Sequence, residues 1–252
     1  PSTSSNRAGS PGEGARAISR FMEDLRETWA FVASDRAATL AMLILTSGAT
    51  LSLITAMLAP RYMVTIVGIR ADDTVYVLAP AGVGMALGAA IIGRIGRWLQ
   101  KELLALAGVF VVALGLVLLG VVSPVWNVIF GVISAVSDPA ALPRIVSMVT
   151  VVMAMAAFTG FALSMMIISS QTILQERAPI ESRGRIFAAQ IMLGNVASIL
   201  PLVFVGQLAD LIGVPLVLGL LGASMIVLGL ASLRSYRGQI WGSGPGGGLT
   251  PR

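Results

Sequence analysis

Long uncharged runs divide the chain, and each is long enough to form one helix across a membrane. Six runs contain no Asp, Glu, Lys or Arg, and they cover residues 37–60, 74–93, 103–137, 145–175, 186–209 and 211–233. About 20 helical residues cross the hydrocarbon core of a bilayer, whereas apolar runs of roughly 10–14 residues are typical of buried helices in soluble proteins. The pattern therefore predicts an all-α membrane protein with six transmembrane helices.

The predicted spans follow from these runs and from the breaks inside them. They are residues 37–60, 74–93, 103–122, 147–170, 186–207 and 212–233, which together form a transmembrane domain over residues 37–233. Ser123-Pro124 interrupts the longest run. The stretch after it, 125–136, is too short to cross, so we expect it to lie at the membrane interface. Asp210, Gly213 and Pro215 predict a tight hairpin between the last two spans.

The two ends of the chain differ from its centre. Residues 1–15 are rich in Ser, Gly and Pro and predict a disordered linker, and the composition of residues 234–252 predicts a disordered cytoplasmic tail. Residues 16–36 place apolar side chains at helical spacing between charged ones. That spacing predicts an amphipathic helix that lies on the membrane surface before the first span.

Composition supports a lipid environment and excludes several kinds of chemistry. The 252 residues are 56% hydrophobic and 12% charged, with a mean hydropathy of +0.88, whereas soluble domains average about 25% charged. The chain contains no Cys and no His, which excludes disulfides, His-based triads and His proton relays. No carboxylate lies within a predicted span. We therefore expect no enzyme activity, no catalytic residue, no metal and no cofactor.

Lys and Arg fall mainly on one side of the predicted membrane. When the N-terminus is placed in the cytoplasm, 14 of the 17 basic residues fall in cytoplasmic segments and only Arg61, Arg70 and Arg144 fall outside. Basic residues are enriched in cytoplasmic loops, so this distribution predicts that both termini are cytoplasmic. It also explains the net charge of +5 without nucleic acid as a partner, and leaves the lipid bilayer as the predicted surroundings.

Uncharged polar residues concentrate on three spans. The first span carries Thr39, Thr46, Ser47, Thr50, Ser52 and Thr55, the fourth carries Ser147, Thr150, Thr159, Ser164, Ser169, Ser170 and Gln171, and the fifth carries Gln190, Asn195 and Ser198. Because polar side chains avoid lipid, we expect spans one and four to line a cavity and spans three and six to face lipid. The same order in two triplets that enter the membrane from opposite sides predicts a 3+3 inverted repeat.

The candidate substrate cavity is built from polar residues near the middle of their spans. These are Thr46, Thr50, Thr159 and Asn195. For any single Ser or Thr, helix packing or a hydrogen bond to its own backbone is an alternative role. On the second span, Gly84 and Gly88 form a GxxxG motif that predicts close helix packing.

Two charged loops make up a candidate cytoplasmic gate. The segment QERAPIESRGRIFAAQ spans residues 175–190, and GRIGRWLQKE spans residues 93–102. The candidate residues are Arg94, Arg97, Glu176, Arg183, Gly184 and Arg185. We expect Pro179 and Gly184 to let the chain turn, and Arg183 and Arg185 to pair with Glu176 or Glu181. A role as topology anchor alone is the alternative.

Over residues 17–235 the chain resembles the C-terminal six-helix half of a drug-efflux-type permease of the major facilitator superfamily. Gln175, Pro179 and the Arg-Gly-Arg at 183–185 are similar to the loop before the eleventh helix of such permeases. LPLVFVGQLADLIG is similar to the end of that helix, and GRIGRWLQKE to their cytoplasmic loop motif. Gly93 stands where the family has an Asp, which puts a gating salt bridge from that position in doubt.

The resemblance implies a secondary transporter that works by alternating access. Its partners would be a small-molecule substrate, apolar or amphipathic, and an N-terminal six-helix half that is missing here. It implies efflux, antiport and a bacterial inner (plasma) membrane, with the first and fourth helices lining the cavity. Two other classes stay open: a six-helix channel or scaffold subunit, and an ABC-type membrane domain, which would need a separate ATPase because this chain has no nucleotide-binding loop.

Overall fold

The computed structural model describes residues 33–70, 74–96, 100–136 and 148–242, and every regular element in these ranges is helical. The helices are α1 (Arg36–Tyr62), α2 (Thr74–Ile95), α3 (Lys101–Val136), α4 (Met148–Arg177), α5 (Arg183–Ile212) and α6 (Val214–Gly242), and α1 continues into a π-helical turn over Met63–Val67. The predicted linker 1–15 and most of the predicted amphipathic helix 16–36 lie outside the described residues.

The described helices have the length and composition of membrane spans. Five are long and apolar enough to cross a bilayer, over Arg36–Val67, Lys101–Val128, Met148–Arg177, Arg183–Ile212 and Val214–Arg234. The sixth, α2, contains a shorter apolar helix over Leu78–Arg94. The all-α prediction is confirmed in this form, and the chain has the apolar helices of an integral membrane protein.

Two helices extend beyond their predicted ends. Pro124 lies inside α3, which continues to Val136, so Ser123-Pro124 does not break the helix, and the interfacial position of 125–136 stays a prediction. Proline removes one backbone donor, but a single missing hydrogen bond does not end a long apolar helix in a membrane protein. Similarly, α6 continues to Gly242, so the tail that was predicted to be disordered from residue 234 begins with helix. In α6 the helical backbone therefore extends beyond the end of the apolar run.

The helices pack as a row of four with two behind. The row runs α2, α4, α1, α5, in which α1 packs most closely on α5, and α4 packs on both α2 and α1. Behind the row, α3 packs against α4 and α6. We call the end where α1, α3 and α5 begin and α4 ends the proximal end. The end where α1 and α5 finish is the distal end.

The α2–α4 interface is made by small residues that bring the two backbones together. A Cβ added to Gly84 would collide with the carbonyl of Ala157, and one added to Gly160 would collide with the carbonyl of Ala81. A Cβ on Gly88 would meet the Ser164 hydroxyl. The GxxxG prediction of close helix packing is therefore confirmed.

The prediction that the third span faces lipid is wrong for its inner face. Val109, Val112, Ala113 and Leu116 on α3 are completely buried against neighbouring helices, whereas Leu114 is 50% exposed. The interior of a helix bundle in a membrane is as apolar as the surrounding lipid, so a helix without polar residues can be buried by other helices as easily as it can face lipid. Absence of polar residues does not distinguish the two environments.

Candidate functional site: an apolar cavity between two differently closed ends

An apolar cavity of about 260 Å³ lies in the distal half of the bundle. Its walls come from α1 between residues 51 and 63 and from α4 between residues 152 and 163, and α2 adds Leu78, Ala81 and Met85. Buried side chains of α3 and α6, Leu116 and Leu218 among them, form the floor. Leu78, Met85 and Ala56 are exposed, so the cavity opens between α1 and α2.

Proline and glycine interrupt the regular geometry of α1 at the level of the cavity. Pro60 lies inside α1, where it cannot donate a helical hydrogen bond, and the π-helical turn with a left-handed Gly68 (φ 76°) follows directly. On the proximal side, by contrast, Gly48 lets α1 approach α4 so closely that an added Cβ would lie 2.7 Å from Cε of Met166. The two helices are in contact at the level of Gly48 and lie apart on the distal side, where the cavity is the space between them.

The four predicted cavity residues have different surroundings. Thr159 lines the cavity, with its hydroxyl donating to the Met155 carbonyl at 2.8 Å. Thr50 Oγ1 lies 2.8 Å from Ser198 Oγ, where it joins α1 to α5. Asn195 is exposed on α5, away from the cavity. Their role in a substrate path stays a prediction.

The fourth predicted residue, Thr46, belongs to a set of enclosed hydroxyls near the α1–α4 contact. Its Oγ1 is buried without a hydrogen-bond partner in the described part of the chain, as are the hydroxyls of Ser169 and Ser170 on α4. Buried polar groups normally have partners, so these three hydroxyls stand apart from the back-bonded ones on the same helices.

Sequence reasoning missed most of the cavity because its lining is apolar. Leu51, Met85, Leu116 and Leu163 contribute side chains to it, and nothing distinguishes them from packing residues in the sequence. The signal that could have located the cavity is Pro60, since a proline inside an otherwise regular span marks a bend.

Charged residues from three helices join at the proximal end. Arg177 at the end of α4 lies 3.6 Å from Asp35 (Nη1 to Oδ2) and 3.8 Å from Glu102 (Nη2 to Oε1). Next to it, Lys101 pairs with Glu176. Asp35 also accepts a hydrogen bond from the backbone N–H of Ala37 at 2.8 Å, as the N-cap of α1. We call these five charged residues the proximal network.

The structure corrects the predicted roles in the loop before α5. Glu176 pairs with Lys101, and Arg183 donates from Nε to the Ala178 carbonyl at 3.2 Å. Gly184 lies inside the first turn of α5 without a positive φ, so it does not make the turn. Pro179 and Ser182 make it instead, through a Ser182 N–H to Pro179 carbonyl bond of 3.1 Å.

The other candidate gate residues lie at the surface or beyond the described ranges. Arg94 is exposed in the last turn of α2, and Arg185 is exposed in the first turn of α5. Arg97 lies outside the described residues. In the part of the chain that is described, no three Asp or Glu side chains come together in a way that could hold a metal ion.

An ion pair joins α1 to α5 at the distal end. Arg61 in the last turn of α1 pairs with Asp210 in the last turn of α5, and their side chains are 42% and 67% exposed. Asp210 was predicted at the hairpin, but the turn itself falls at Gly213, whose φ of 85° suits glycine. The buried Tyr62 adds a hydrogen bond from its hydroxyl to the Leu119 carbonyl at 2.8 Å.

No protein-family model matches this chain, and neither a curated protein nor a solved structure is significantly similar to it. The geometry of the cavity and of the two ends is therefore what bears on function.

Proposed function

We propose that this chain is one six-helix half of a secondary active transporter of the major facilitator type, which moves a small apolar or amphipathic solute by alternating access. The observation that carries the proposal is the cavity in the distal half, bounded by α1 and α4, above a proximal end where the same helices meet. A solute-sized space in one half of the membrane, with the helices in contact on its other side, is what a transporter needs in one of its two states.

The packing order supports an inverted repeat of three helices. Exchanging the first triplet with the second turns the α1–α5 pair into the α4–α2 pair, and both are close pairs. The same exchange maps the α1–α4 contact onto itself, and likewise the α3–α6 contact. The α3–α4 contact has only a smaller counterpart in α1–α6, so the two triplets have diverged most there.

The position of the acidic residues supports a half that depends on a partner. In the described ranges the carboxylates are Asp35, Glu102, Glu176, Glu181 and Asp210, and all five lie at helix ends or in a loop. Proton coupling requires a group that titrates within the membrane. If protons drive transport, an N-terminal six-helix half supplies that group.

The orientation of the network fits the proposed topology. With both termini in the cytoplasm of a bacterial cell, the proximal network faces the cytoplasm and the Arg61–Asp210 pair faces outward. The cavity then lies in the outer half of the membrane, beyond the α1–α4 contact as seen from the cytoplasm. Helix packing alone, as in a scaffold subunit, accounts for neither the space nor its position.

Paired cysteine labelling tests alternating access. This chain has no native Cys, so Ala56→Cys at the cavity mouth and Thr46→Cys near the proximal contact can be placed singly in the complete gene product. We expect solute plus an ion gradient to raise the rate of maleimide labelling at one site and lower it at the other. Leu114→Cys on the exposed face of α3 is the matched control and should not respond.

The rival classes give different patterns in the same experiment. A channel opens one continuous path, so both labelling rates would change together. A scaffold subunit would show no response to solute at either position. Either pattern contradicts alternating access.

A further inference from the structure

The cavity contains one polar spot in an otherwise apolar lining. Among the hydroxyl groups that line it, Ser52 donates to the Gly48 carbonyl at 2.9 Å, Thr159 donates within α4, and Tyr62 donates across to α3. Their donors are therefore occupied. Thr55 lines the same cavity, yet its hydroxyl has no hydrogen-bond partner among the described residues.

Apart from the enclosed hydroxyls of Thr46, Ser169 and Ser170, few described hydroxyls in the spans are free in this way. Several bond back to the carbonyl four residues earlier, as Ser47, Ser52, Thr172 and Ser198 do. Back-bonding is the ordinary way to satisfy a hydroxyl in an apolar environment. Thr55 instead presents a donor and an acceptor to the cavity.

The hydroxyl of Thr55 is therefore the uncharged polar group that the cavity lining offers to a ligand, and we call it the polar spot. A hydroxyl can both donate and accept a hydrogen bond.

We propose that the cavity binds a neutral compound with an apolar body and one hydroxyl group, such as a small phenol or alcohol. The ligand hydroxyl forms a hydrogen bond with the Thr55 hydroxyl. No charged side chain lines the cavity, so a charged ligand would lose its hydration without gaining a partner. The proposal rests on the proposed function in identifying this cavity as the solute site, and it adds the class of solute.

The volume sets the size of the ligand. An apolar cavity of about 150 Å³ holds benzene. By proportion, a cavity of about 260 Å³ holds a compound of roughly ten non-hydrogen atoms. 1-Naphthol fits this size and carries one hydroxyl, and 1-methylnaphthalene has the same shape without it.

Equilibrium dialysis of the purified chain in detergent, against empty micelles, tests the proposal with these two compounds. We expect 1-naphthol to bind about three- to tenfold more tightly than 1-methylnaphthalene after correction for micelle partition, as one neutral hydrogen bond provides. Thr55→Val keeps the side-chain shape and should abolish the preference while leaving 1-methylnaphthalene binding unchanged. Thr55→Ser should retain it.

Matched variants separate the polar spot from general effects. Thr172→Val removes a back-bonded hydroxyl from α4 outside the cavity and should leave the preference intact. Ala156→Leu fills the cavity and should abolish binding of both compounds, whereas Ala154→Leu, on the exposed side of the same helix, should not. Equal binding of the two compounds, or a preference that survives in Thr55→Val, overturns the proposal.

The outcome is independent of the test of alternating access. If Ala56→Cys and Thr46→Cys fail to respond in opposite directions while 1-naphthol is still preferred, the transport proposal fails and the binding site stands. If the labelling responds but the preference is absent, the solute class is wrong and the transport proposal stands.

Discussion

The proximal and distal ends of the bundle are held together in different ways. At the proximal end, charges from α1, α3 and α4 converge on Arg177, and Gly48 lets α1 touch α4. At the distal end, one exposed ion pair links α1 to α5, and a cavity lies between α1 and α4. The two ends therefore differ in the placement of charge and of glycine.

The largest effect is expected from closing the gap that Gly48 provides. In Gly48→Leu the new side chain meets the end of the Met166 side chain, which is fully buried between α1 and its neighbours. We expect a loss of about 2–3 kcal/mol in stability. The measurement is the fraction of protein that stays monodisperse in detergent after heating.

The same experiment at the distal end provides the comparison. Ala56→Leu extends into the cavity mouth and should change stability much less than Gly48→Leu. Gly82→Leu, where an added Cβ meets nothing within 4 Å, controls for the change of glycine to leucine. Equal losses for Gly48→Leu and Ala56→Leu would show that the two ends are packed alike.

A smaller effect is expected from Arg177→Gln in the proximal network. The change removes the positive partner of Asp35 and Glu102, whose side chains are 25% and 27% exposed. Two partly exposed ion pairs are together worth about 1 kcal/mol, and the loss should shrink in 1 M salt because salt screens charges. Thermal unfolding at low and high salt measures both.

Arg234→Gln is the matched control for this change. Arg234 is exposed on α6, so removing its charge should leave the unfolding temperature nearly unchanged. A destabilisation by Arg177→Gln that does not depend on salt would mean that the residue acts through packing instead of charge.

The smallest effect is expected from the Arg61–Asp210 pair. Both side chains are substantially exposed, so breaking the pair with Asp210→Asn should cost about 0.5 kcal/mol. The exchanged variant Arg61→Asp with Asp210→Arg should recover most of that loss, because the attraction is restored in reverse. A double-mutant cycle on unfolding temperatures measures the coupling, and a larger cost than for Arg177→Gln would reverse the ranking of the two ends.

Much of the fold could be predicted from the sequence because uncharged length is a strong signal in a membrane chain. The positions of the six helices and the close approach at Gly84 and Gly88 followed from run length and spacing alone. The ends at Pro124 and residue 233 could not be predicted. Proline inside a long apolar helix and polar residues just beyond a span both leave the helical backbone intact.

The candidate site was harder to predict because polarity is a poor guide to an apolar cavity. Thr159 was found, but Thr50 bonds to Ser198 at a helix contact and Asn195 lies on the outside of α5. Whether a hydroxyl is free depends on which groups lie near it in the folded protein. Ser52 and Thr55 line the same cavity, but only Ser52 bonds back to its own helix. Likewise, the partners of Glu176 and Arg177 come from helices distant in sequence.

The backbone contact between α2 and α4 has a mechanical consequence. Where Gly84 and Gly160 meet facing carbonyls, neither helix can slide or rotate against the other without a steric collision. The two helices therefore move as one rigid body. The contact between α1 and α4 is made instead by the side-chain ends of Met166 and Ile167 on Gly48, which can slide over a smooth surface. We therefore expect motion that opens or closes the cavity to occur at this contact between α1 and α4.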